Sequence, residues 1–293
     1  MFSPRFQMGA GRSLRISLIE GDISRAAGAY TGIFAGTEAI AENGTVGSRL
    51  PLPYARRNKI SEGDKLSAAA FYLGDACLGI MALEQQPRVM RMLISREHAA
   101  LTASLKGAAQ WLYYRRSSLQ ANDSHAPNRL LFDALAFQAC GTLTNDRLMK
   151  EAAAEFATYA ISSLTDEGFF IESGGWDTSY QGVAVRVGSD LVLAGLKHPK
   201  LTEALQKATS WLSDRIRGDG SINSQGNTRT CTGGEAFLGK LKKVDVTEVF
   251  LALAYQGSLH NDLRWLGAAE RVSKWVQANP GNDPCFPRAV AGK

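Results

Sequence analysis

Apolar residues recur at helical spacing through most of this chain of 293 residues. Alanine and leucine occupy positions i, i+3, i+4 and i+7, which places them along one face of an α-helix. No segment alternates polar and apolar residues at the period of a β-strand over more than a few positions. The pattern therefore predicts an all-α protein. The predicted helices cover residues 23–42, 64–84, 95–115, 128–141, 146–164, 183–197, 200–217, 244–257 and 262–278.

The links between these helices are of two kinds, short and long. Short links join antiparallel helices into hairpins, whereas loops beyond about 12–15 residues are uncommon in compact domains unless they have a function. The short links cover residues 141–145, 198–199 and 256–261. The long links cover residues 43–63, 116–127, 165–182 and 218–243. We expect the long loops to lie at one end of the array and to form the rim of a binding or active site.

A turn that contains glycine recurs in these long loops. One copy reads Asp-Glu-Gly-Phe-Phe at residues 166–170, and another reads Gly-Asp-Gly-Ser-Ile at residues 218–222. Gly168 and Gly220 are 52 residues apart, which is the length of one helix pair with its loop. Residues 42–47, Glu-Asn-Gly-Thr-Val-Gly, read as a degenerate earlier copy. A repeat of this length predicts a stacked or circular array of helical hairpins.

The stretch that follows the first turn resembles a motif of a known enzyme class. Residues 168–182 read Gly-Phe-Phe-Ile-Glu-Ser-Gly-Gly-Trp-Asp-Thr-Ser-Tyr-Gln-Gly. They are similar to the Asp-Gly-Ser-Phe … Tyr-x-Gly segment of toroidal polysaccharide lyases of the chondroitin, hyaluronan and alginate type, and the resemblance covers about residues 116–240. It implies an α/α-toroid of (α/α)4–6 type or, since the chain is short for a complete ring, an open arc of roughly four or five antiparallel hairpins. Residues 1–293 then form one domain, with residues 1–22 as an irregular N-terminal extension.

The resemblance implies cleavage of an acidic polysaccharide by β-elimination at a uronic acid. In that family a loop tyrosine at the start of an inner helix meets a histidine from the preceding loop. Tyr180 and His125 hold these two positions here. The adjacent Asn-His pair of the family is separated in this sequence into Asn122, His125 and Asn128.

β-Elimination requires a base, a proton donor and a group that neutralises the substrate carboxylate. The base removes the proton next to the carboxylate, and a tyrosine or histidine returns a proton to the leaving oxygen. Asparagine or arginine stabilises the enolate that develops. The candidate catalytic residues are His125, Tyr180, Arg229 and Asn128. The candidate substrate-binding residues are Trp176, Asp177, Asn122, Glu235 and Asn227.

Each candidate side chain also has a structural alternative. His125 can cap the helix that begins near Pro127, and Tyr180 can pack its ring at a helix start with its hydroxyl in water. Trp176, which follows Gly174-Gly175, suits stacking on a sugar ring, and it suits equally a loop that inserts into the core. The remaining tryptophans follow helical patterns and are predicted core residues; they are Trp111, Trp211, Trp265 and Trp275.

Two other classes of protein fit the same scaffold. A glycoside hydrolase would use two facing carboxylates, but none of those on the rim has apolar sequence neighbours that would raise the pKa of a general acid. These carboxylates belong to Asp166, Glu172, Asp177, Asp219 and Glu235. A non-catalytic helical-repeat scaffold that binds a glycan or a protein is the other class. The sequence contains no Asp-rich diphosphate-binding motif, so nothing in it indicates a terpene cyclase.

Charge and cysteine spacing bear on partners and cofactors. The 33 basic and 28 acidic residues leave a formal charge of +5 without a Lys/Arg-rich run, which is weak evidence for a nucleic-acid partner and fits an acidic polysaccharide. The sequence contains no Cys-x-x-Cys pair, so nothing in it indicates a zinc site. The elimination that the resemblance implies requires neither a metal nor a cofactor. Cys77 and Cys140 lie in apolar helical contexts typical of buried cysteines. Cys231 and Cys285 lie in loops, and the sequence leaves open whether they form a disulfide.

The sequence also leaves the cellular compartment of the protein undecided. No uninterrupted apolar run reaches the roughly 18 residues of a membrane span, and no signal peptide is visible in the first residues. An enzyme that cleaves polysaccharides would usually be periplasmic or secreted.

Overall fold

The computed structural model describes residues 9–38, 40, 46, 61–95, 97–237, 239–281 and 284–285. Within these ranges the chain forms twelve α-helices, a 3₁₀ turn at Cys231–Gly233 and one antiparallel hairpin of two short strands, β1 (Ala236–Phe237) and β2 (Lys240–Leu241). The prediction of an all-α protein is confirmed. The helices are α1 (Ala10–Glu20), α2 (Ile23–Glu38), α3 (Glu62–Glu84), α4 (Arg88–Ile94), α5 (His98–Tyr113), α6 (Arg116–Asp123), α7 (Pro127–Leu143), α8 (Arg147–Ile161), α9 (Thr178–Leu193), α10 (Leu201–Ser213), α11 (Val246–His260) and α12 (Leu263–Ala278).

Three of the helices, α1, α4 and α6, lie where the sequence predicts none. α4 occupies the stretch between two predicted helices, and α6 fills most of the 116–127 link, which was predicted as a loop. That loop prediction is wrong because α6 has no apolar period to detect: Leu119 is its one buried apolar residue. A buried hydrogen bond from the Ser67 hydroxyl to the Asp123 carboxylate fixes its end to α3 instead.

The chain divides into two compact units, which we describe separately. Unit 1 comprises Met1–Asp123, Phe132–Phe156 and Ala194–Leu196, and unit 2 comprises Ser124–Leu131, Ala157–Leu193 and Lys197–Lys293. α7 contributes residues to both units, as does α8. The single-domain interpretation stays a prediction.

In unit 1, α3 is the helix against which its neighbours pack. α1, α5 and α6 all contact it, and α1 also packs on α2. Cys77 of α3 and Cys140 of α7 are free and buried, which confirms their predicted role as small apolar core residues. α3 is also long and apolar enough to span a membrane, although its charged residues interrupt the apolar run. Because 78% of its most apolar window is buried, it has the character of a core helix.

In unit 2, α9 packs against α10 and α11, and α11 packs against α12. A two-residue link, Asn261-Asp262, makes α11 and α12 a hairpin: Asn261 has a left-handed φ of 52°, and the Asp262 carboxylate caps α12. A buried ion pair joins α9 to α11, since Arg186 donates from Nε to Glu248 at 2.6 Å. The same guanidinium donates to Asp190 at 2.7 Å, so its charge is compensated inside the unit.

The predicted core tryptophans divide into two groups. Trp211 and Trp265 are buried, as expected. Trp111 and Trp275 are only half-buried, because helical spacing shows which side chains share a face but not how completely a neighbouring helix covers that face.

The glycine turn repeats in three dimensions as it does in sequence. In one copy Leu164 pairs with Phe170, and in the other Ile216 pairs with Ile222, again 52 residues later. The bonds from the amide of Thr165 to the carbonyl of Phe169 and from Arg217 to Ser221 are both 2.9 Å long. A third bridge, between Ile40 and Val46, marks the earlier copy, whose glycine lies outside the described residues. The repeat prediction is therefore confirmed for the local structure of the turn.

Both turn glycines are required by backbone conformation and by close packing. Gly168 has φ +98° and Gly220 has φ +88°, a region that favours glycine. A Cβ on Gly168 would lie 2.9 Å from the carbonyl oxygen of Lys207 in α10. A Cβ on Gly220 would overlap the carbonyl of Arg271 in α12. Each turn thus packs directly on the backbone of a helix later in the chain, α10 for Gly168 and α12 for Gly220.

The N-terminal extension predicted as irregular contains a helix. α1 was missed because only Gly11, Leu14, Ser17 and Leu18 form its buried stripe, and two of these four are small or polar. Its first turn is stabilised from outside: the Asp75 carboxylate of α3 accepts hydrogen bonds from the amides of residues 9, 11 and 12 at 2.7–2.9 Å. Residues 1–8 lie outside the described residues.

A glycine contact between α1 and α3 generates the first prediction. A Cβ at Gly79 would lie 2.7 Å from the Cα of Gly11, so Gly79→Ala must separate the two helix backbones. We expect a loss of about 1–3 kcal/mol in the free energy of unfolding, as for overpacked cores, measured by urea denaturation. Gly28→Ala is the matched control, since nothing lies within 4 Å of a Cβ there. It should stabilise by roughly 0.5–1 kcal/mol, and equal effects of the two changes would contradict the contact.

Candidate functional site

Two long loops of unit 2 meet where the sequence analysis placed its tyrosine and arginine. These are residues 162–177, which end at α9, and residues 214–245, which end at α11. The amide of Thr228 donates to the carbonyl of Trp176 at 3.0 Å, and its hydroxyl donates to the carbonyl of Glu172 at 2.6 Å. The two loops therefore form one hydrogen-bonded surface.

The Asp177 carboxylate is the centre of this junction. It caps α9 by accepting from the amides of Ser179 at 3.0 Å and Tyr180 at 3.2 Å. It also accepts from the other loop, from the amides of Arg229 at 3.1 Å and Thr230 at 2.7 Å. Its side chain is 1% exposed. Asp177 was predicted to bind substrate, but its oxygens are occupied inside the protein, where an uncompensated carboxylate would be costly.

Asn227 has a similar structural role. Its amide oxygen accepts from the amide of Thr178 at 3.1 Å, and its amide nitrogen donates to the Thr230 hydroxyl at 2.8 Å. It is buried. The structure therefore also places this predicted substrate-binding residue inside the loop junction.

Arg229 lies at the centre of a charged cluster on this junction. Its Nε and one terminal nitrogen donate to the Glu235 carboxylate at 2.7 and 3.1 Å, and its other terminal nitrogen donates to Glu172. The guanidinium carbon lies 3.9 Å from the ring centre of Tyr180, a cation–π distance. Tyr180, predicted from one loop, is thus in direct contact with Arg229 and Glu235, predicted from another.

Lys242 completes the cluster and was not predicted. Its ammonium donates to the Tyr180 hydroxyl at 2.7 Å and also to Glu235. It is positioned by the strand pair, since Lys242 follows β2 and its amide donates to the carbonyl of Glu235 at 2.8 Å. In the sequence Lys242 is only one of the lysines of Lys240-Leu-Lys-Lys243 at the end of the 218–243 link, and no pattern there indicates a contact with Tyr180.

Burial and charge shift the pKa values of the cluster in opposite directions. Burial raises the pKa of Glu172 to about 7, although Arg229 acts to lower it. Burial also raises the pKa of Glu235, but hydrogen bonds from Arg229 and Lys242 outweigh it and hold the value at about 2. Burial raises the pKa of the Tyr180 phenol well above its ordinary value, so the phenol keeps its proton at neutral pH. The expectation that no rim carboxyl has a raised pKa is wrong for Glu172, because a tertiary contact buries it.

The other predicted catalytic side chains are not bonded to this cluster. His125 is exposed, and in the part of the chain that the structure describes it makes no hydrogen bond to Tyr180. Asn128 in the first turn of α7 is buried, and its amide oxygen has no partner among the described residues. Asn122 belongs to unit 1, where its amide donates to Asp123 at 2.8 Å. The contact between His125 and Tyr180 stays a prediction.

Trp176 packs against protein on several sides. Its ring meets the Trp211 ring edge-on at 5.5 Å, and the Arg215 guanidinium lies 4.2 Å from its centre. Gly226, with φ +85°, approaches it so closely that a Cβ would lie 2.8 Å from the indole. These contacts match the alternative in which the ring inserts between loop and helix, and stacking on a sugar stays a prediction.

A disulfide joins Cys231 to Cys285, the pairing that the sequence left open. It attaches the 214–245 loop, two residues after Arg229, to the C-terminal segment 54 residues later. In the described part of the chain no group of three or more His, Cys, Asp or Glu side chains could hold a metal ion.

Comparisons with known proteins bring no relative to this site. No protein-family model, no curated protein and no solved structure matches the chain. The site is therefore interpreted from its own geometry.

The second prediction tests the structural role of Asp177. Asp177→Ala leaves the capped amides of α9 and the amides of Arg229 and Thr230 without an acceptor. An unpaired buried group costs about 1–3 kcal/mol, so we expect a loss of at least about 3 kcal/mol in the free energy of unfolding, measured by urea denaturation. Asp219→Ala is the control: Asp219 is exposed and accepts hydrogen bonds from Ser221, two residues on, so its loss should be under about 1 kcal/mol. Similar losses in both variants would contradict the role.

The third prediction follows from the raised pKa of Glu172. An unfolded glutamate titrates near 4.5, whereas Glu172 titrates at about 7 in the folded protein. Between these values the folded state binds more protons, so this group makes the free energy of unfolding fall as pH rises, by about 3 kcal/mol in total. In Glu172→Gln this pH-dependent part of the free energy of unfolding disappears. Urea unfolding of wild type and variant across this pH range measures the difference.

The control for this titration is Glu167→Gln, which removes a carboxylate from an exposed position of the same loop. Its difference from wild type should stay nearly constant over the range. A difference between wild type and Glu172→Gln that does not change with pH would refute the raised pKa.

Proposed function

We propose that this protein cleaves an acidic polysaccharide by β-elimination at a uronic acid. The observation that carries the proposal is the Tyr180 hydroxyl, which keeps its proton and accepts a hydrogen bond from Lys242 at 2.7 Å. A protonated phenol beside a cation is a suitable donor to the oxygen that leaves in β-elimination. Lys242 then stabilises the phenolate that remains after proton transfer.

The elimination balances with groups of this chain. A base removes the proton on the carbon next to the uronate carboxylate, the carbon–oxygen bond to the leaving sugar breaks, and a carbon–carbon double bond forms. Tyr180 gives its proton to the leaving oxygen and regains one from solvent, to which the base releases the proton that it removed. His125, whose exposed ring lies just ahead of α7, is the proposed base.

Of Arg229 and Asn128, Asn128 is the better candidate for neutralising the substrate carboxylate. Arg229 already binds Glu172 and Glu235, so a substrate carboxylate would have to displace Glu235 from it. The Asn128 amide nitrogen is a donor that a carboxylate can accept from, and Asn128 lies in the first turn of α7. We therefore assign Arg229 to holding Tyr180 and Glu235 in place, and Asn128 to the carboxylate.

The fold and the disulfide support the same proposal. Helical hairpins joined by repeated glycine turns suit the α/α-toroid, or the open arc of such hairpins, that the resemblance to polysaccharide lyases implies. A disulfide is typical of oxidising compartments, which fits a periplasmic or secreted enzyme of this kind. The formal charge of +5 suits an acidic polymer.

A glycoside hydrolase is the second candidate, and one observation favours it. The pKa of Glu172 is about 7 and that of Glu235 is about 2, so near neutral pH Glu172 is about half protonated while Glu235 is ionised. A pair of carboxyls separated in this way is typical of acid–base catalysis in hydrolases. Glu172, however, is only 3% exposed, which restricts its access to a glycosidic oxygen.

The fourth prediction tests the elimination by a substitution at its proton donor. Alginate, hyaluronan, chondroitin and pectate are offered in turn, and the ultraviolet absorbance of the new double bond is followed. Tyr180→Phe should lower the rate by about 10²–10⁴-fold while substrate binding, measured by calorimetry, is retained. Tyr114→Phe is the control, since Tyr114 is exposed in unit 1, and it should leave the rate unchanged.

The same assay separates the three candidate functions. Release of reducing ends without new absorbance, together with loss of activity in Glu172→Gln but not in Tyr180→Phe, would indicate the hydrolase. Binding of a glycan without either product would indicate a scaffold. Full activity of Tyr180→Phe in the absorbance assay would refute Tyr180 as the donor.

A further inference from the structure

α4 in unit 1 presents its large apolar side chains to solvent. Val89 and Met92 are each 70% exposed, and Leu93 is 61% exposed. These positions are spaced i, i+3 and i+4, so they lie on one face of the helix. Single exposed apolar residues are ordinary, but three on one face form a patch that usually marks an interaction surface.

Positive charge flanks this apolar face. Arg88 and Arg91 of α4 are both exposed, and the helix contains no acidic residue. Beside them lies a cavity of about 280 Å³. Its lining consists of Leu83, Arg88, Arg91, Met92, Ser95 and His98. The two guanidinium groups make this cavity suited to an anion, and arginine binds phosphate oxygens with favourable geometry.

His98 adds a second polar group to the cavity. Its Nε2 lies 3.2 Å from a Glu84 carboxylate oxygen. Its Nδ1 is buried, and no described residue bonds to it. The ring of His98 forms part of the cavity wall together with the two arginines.

We propose that α4 docks this protein on an anionic lipid membrane. Val89, Met92 and Leu93 insert among the acyl chains near the surface, while Arg88 and Arg91 bind a headgroup phosphate in the cavity.

A membrane is favoured over a protein partner by the composition of the face. An apolar tip bordered by arginine, without acidic residues in the helix, is the pattern of peripheral interfacial anchors. Basic residues close to an anionic bilayer are attracted to its surface potential. The proposal is independent of the reaction proposed for unit 2.

Vesicle flotation of the full chain tests the proposal. Vesicles of phosphatidylcholine with phosphatidylglycerol should carry the wild-type protein, vesicles of phosphatidylcholine alone should carry much less, and added salt should release it. The triple substitution Val89→Ser, Met92→Ser, Leu93→Ser should lower the partition coefficient on the order of tenfold or more. Arg88→Gln with Arg91→Gln should lower it by about fivefold per arginine on the anionic vesicles only.

Matched controls remove similar groups elsewhere. Leu193→Ser with Leu263→Ser alters two exposed leucines, and Arg147→Gln alters an arginine whose side chain is 85% exposed. Both controls should float like wild type. All the variants change surface positions, so unchanged melting temperatures will show that they fold.

Three results would overturn the proposal. The first is equal flotation of wild type and triple variant. The second is a wild-type dimer, seen by analytical ultracentrifugation, that the triple substitution converts to monomer, since the face would then be an interface between copies. The third is stabilisation by inorganic phosphate without vesicle binding, which would show an anion site only.

Discussion

The site depends on one buried carboxylate that two loops share. Asp177 ends the 162–177 loop and caps α9, and its oxygens also accept the backbone amides of Arg229 and Thr230 from the 214–245 loop. Since the cap sets the first turn of α9, it fixes Tyr180, and since it holds the backbone of Arg229, it fixes the guanidinium over the same ring. A buried carboxylate without these donors would be unstable, so the two loops and the helix start stabilise each other.

Around this carboxylate the charges are closely balanced. Arg229 and Lys242 face Glu172 and Glu235, with the phenol of Tyr180 among them. Such a network holds its members in one geometry, and positioning of this kind is what a proton donor needs. It also limits which groups can meet a substrate. Arg229 already has two carboxylate partners, so it holds its neighbours in position.

Glycine turns and buried ion pairs explain how the fold presents these loops. The turns at Gly168 and Gly220 use positive φ values and lie against the backbones of α10 and α12, so each loop leaves the helices at a fixed point. The pair of Arg186 with Glu248 joins α9 to α11, the helices that follow the two loops. The disulfide of Cys231 attaches the second loop once more. Covalent, ionic and steric constraints thus hold the irregular segments at fixed points.

The sequence by itself determined the helical class, most helix positions and the repeated turn, because these depend on local spacing and on the φ preference of glycine. It also named Tyr180, Arg229 and Glu235 as members of one site. It did not show α6 or α1, since their stability comes from tertiary hydrogen bonds at Asp123 and Asp75 and not from an apolar period. Only the tertiary structure decided that Asp177 and Asn227 are internal supports, that Lys242 meets Tyr180, and that the pKa of Glu172 is raised. Burial and ion pairing depend on residues distant in the chain, and no local pattern records which distant groups will meet.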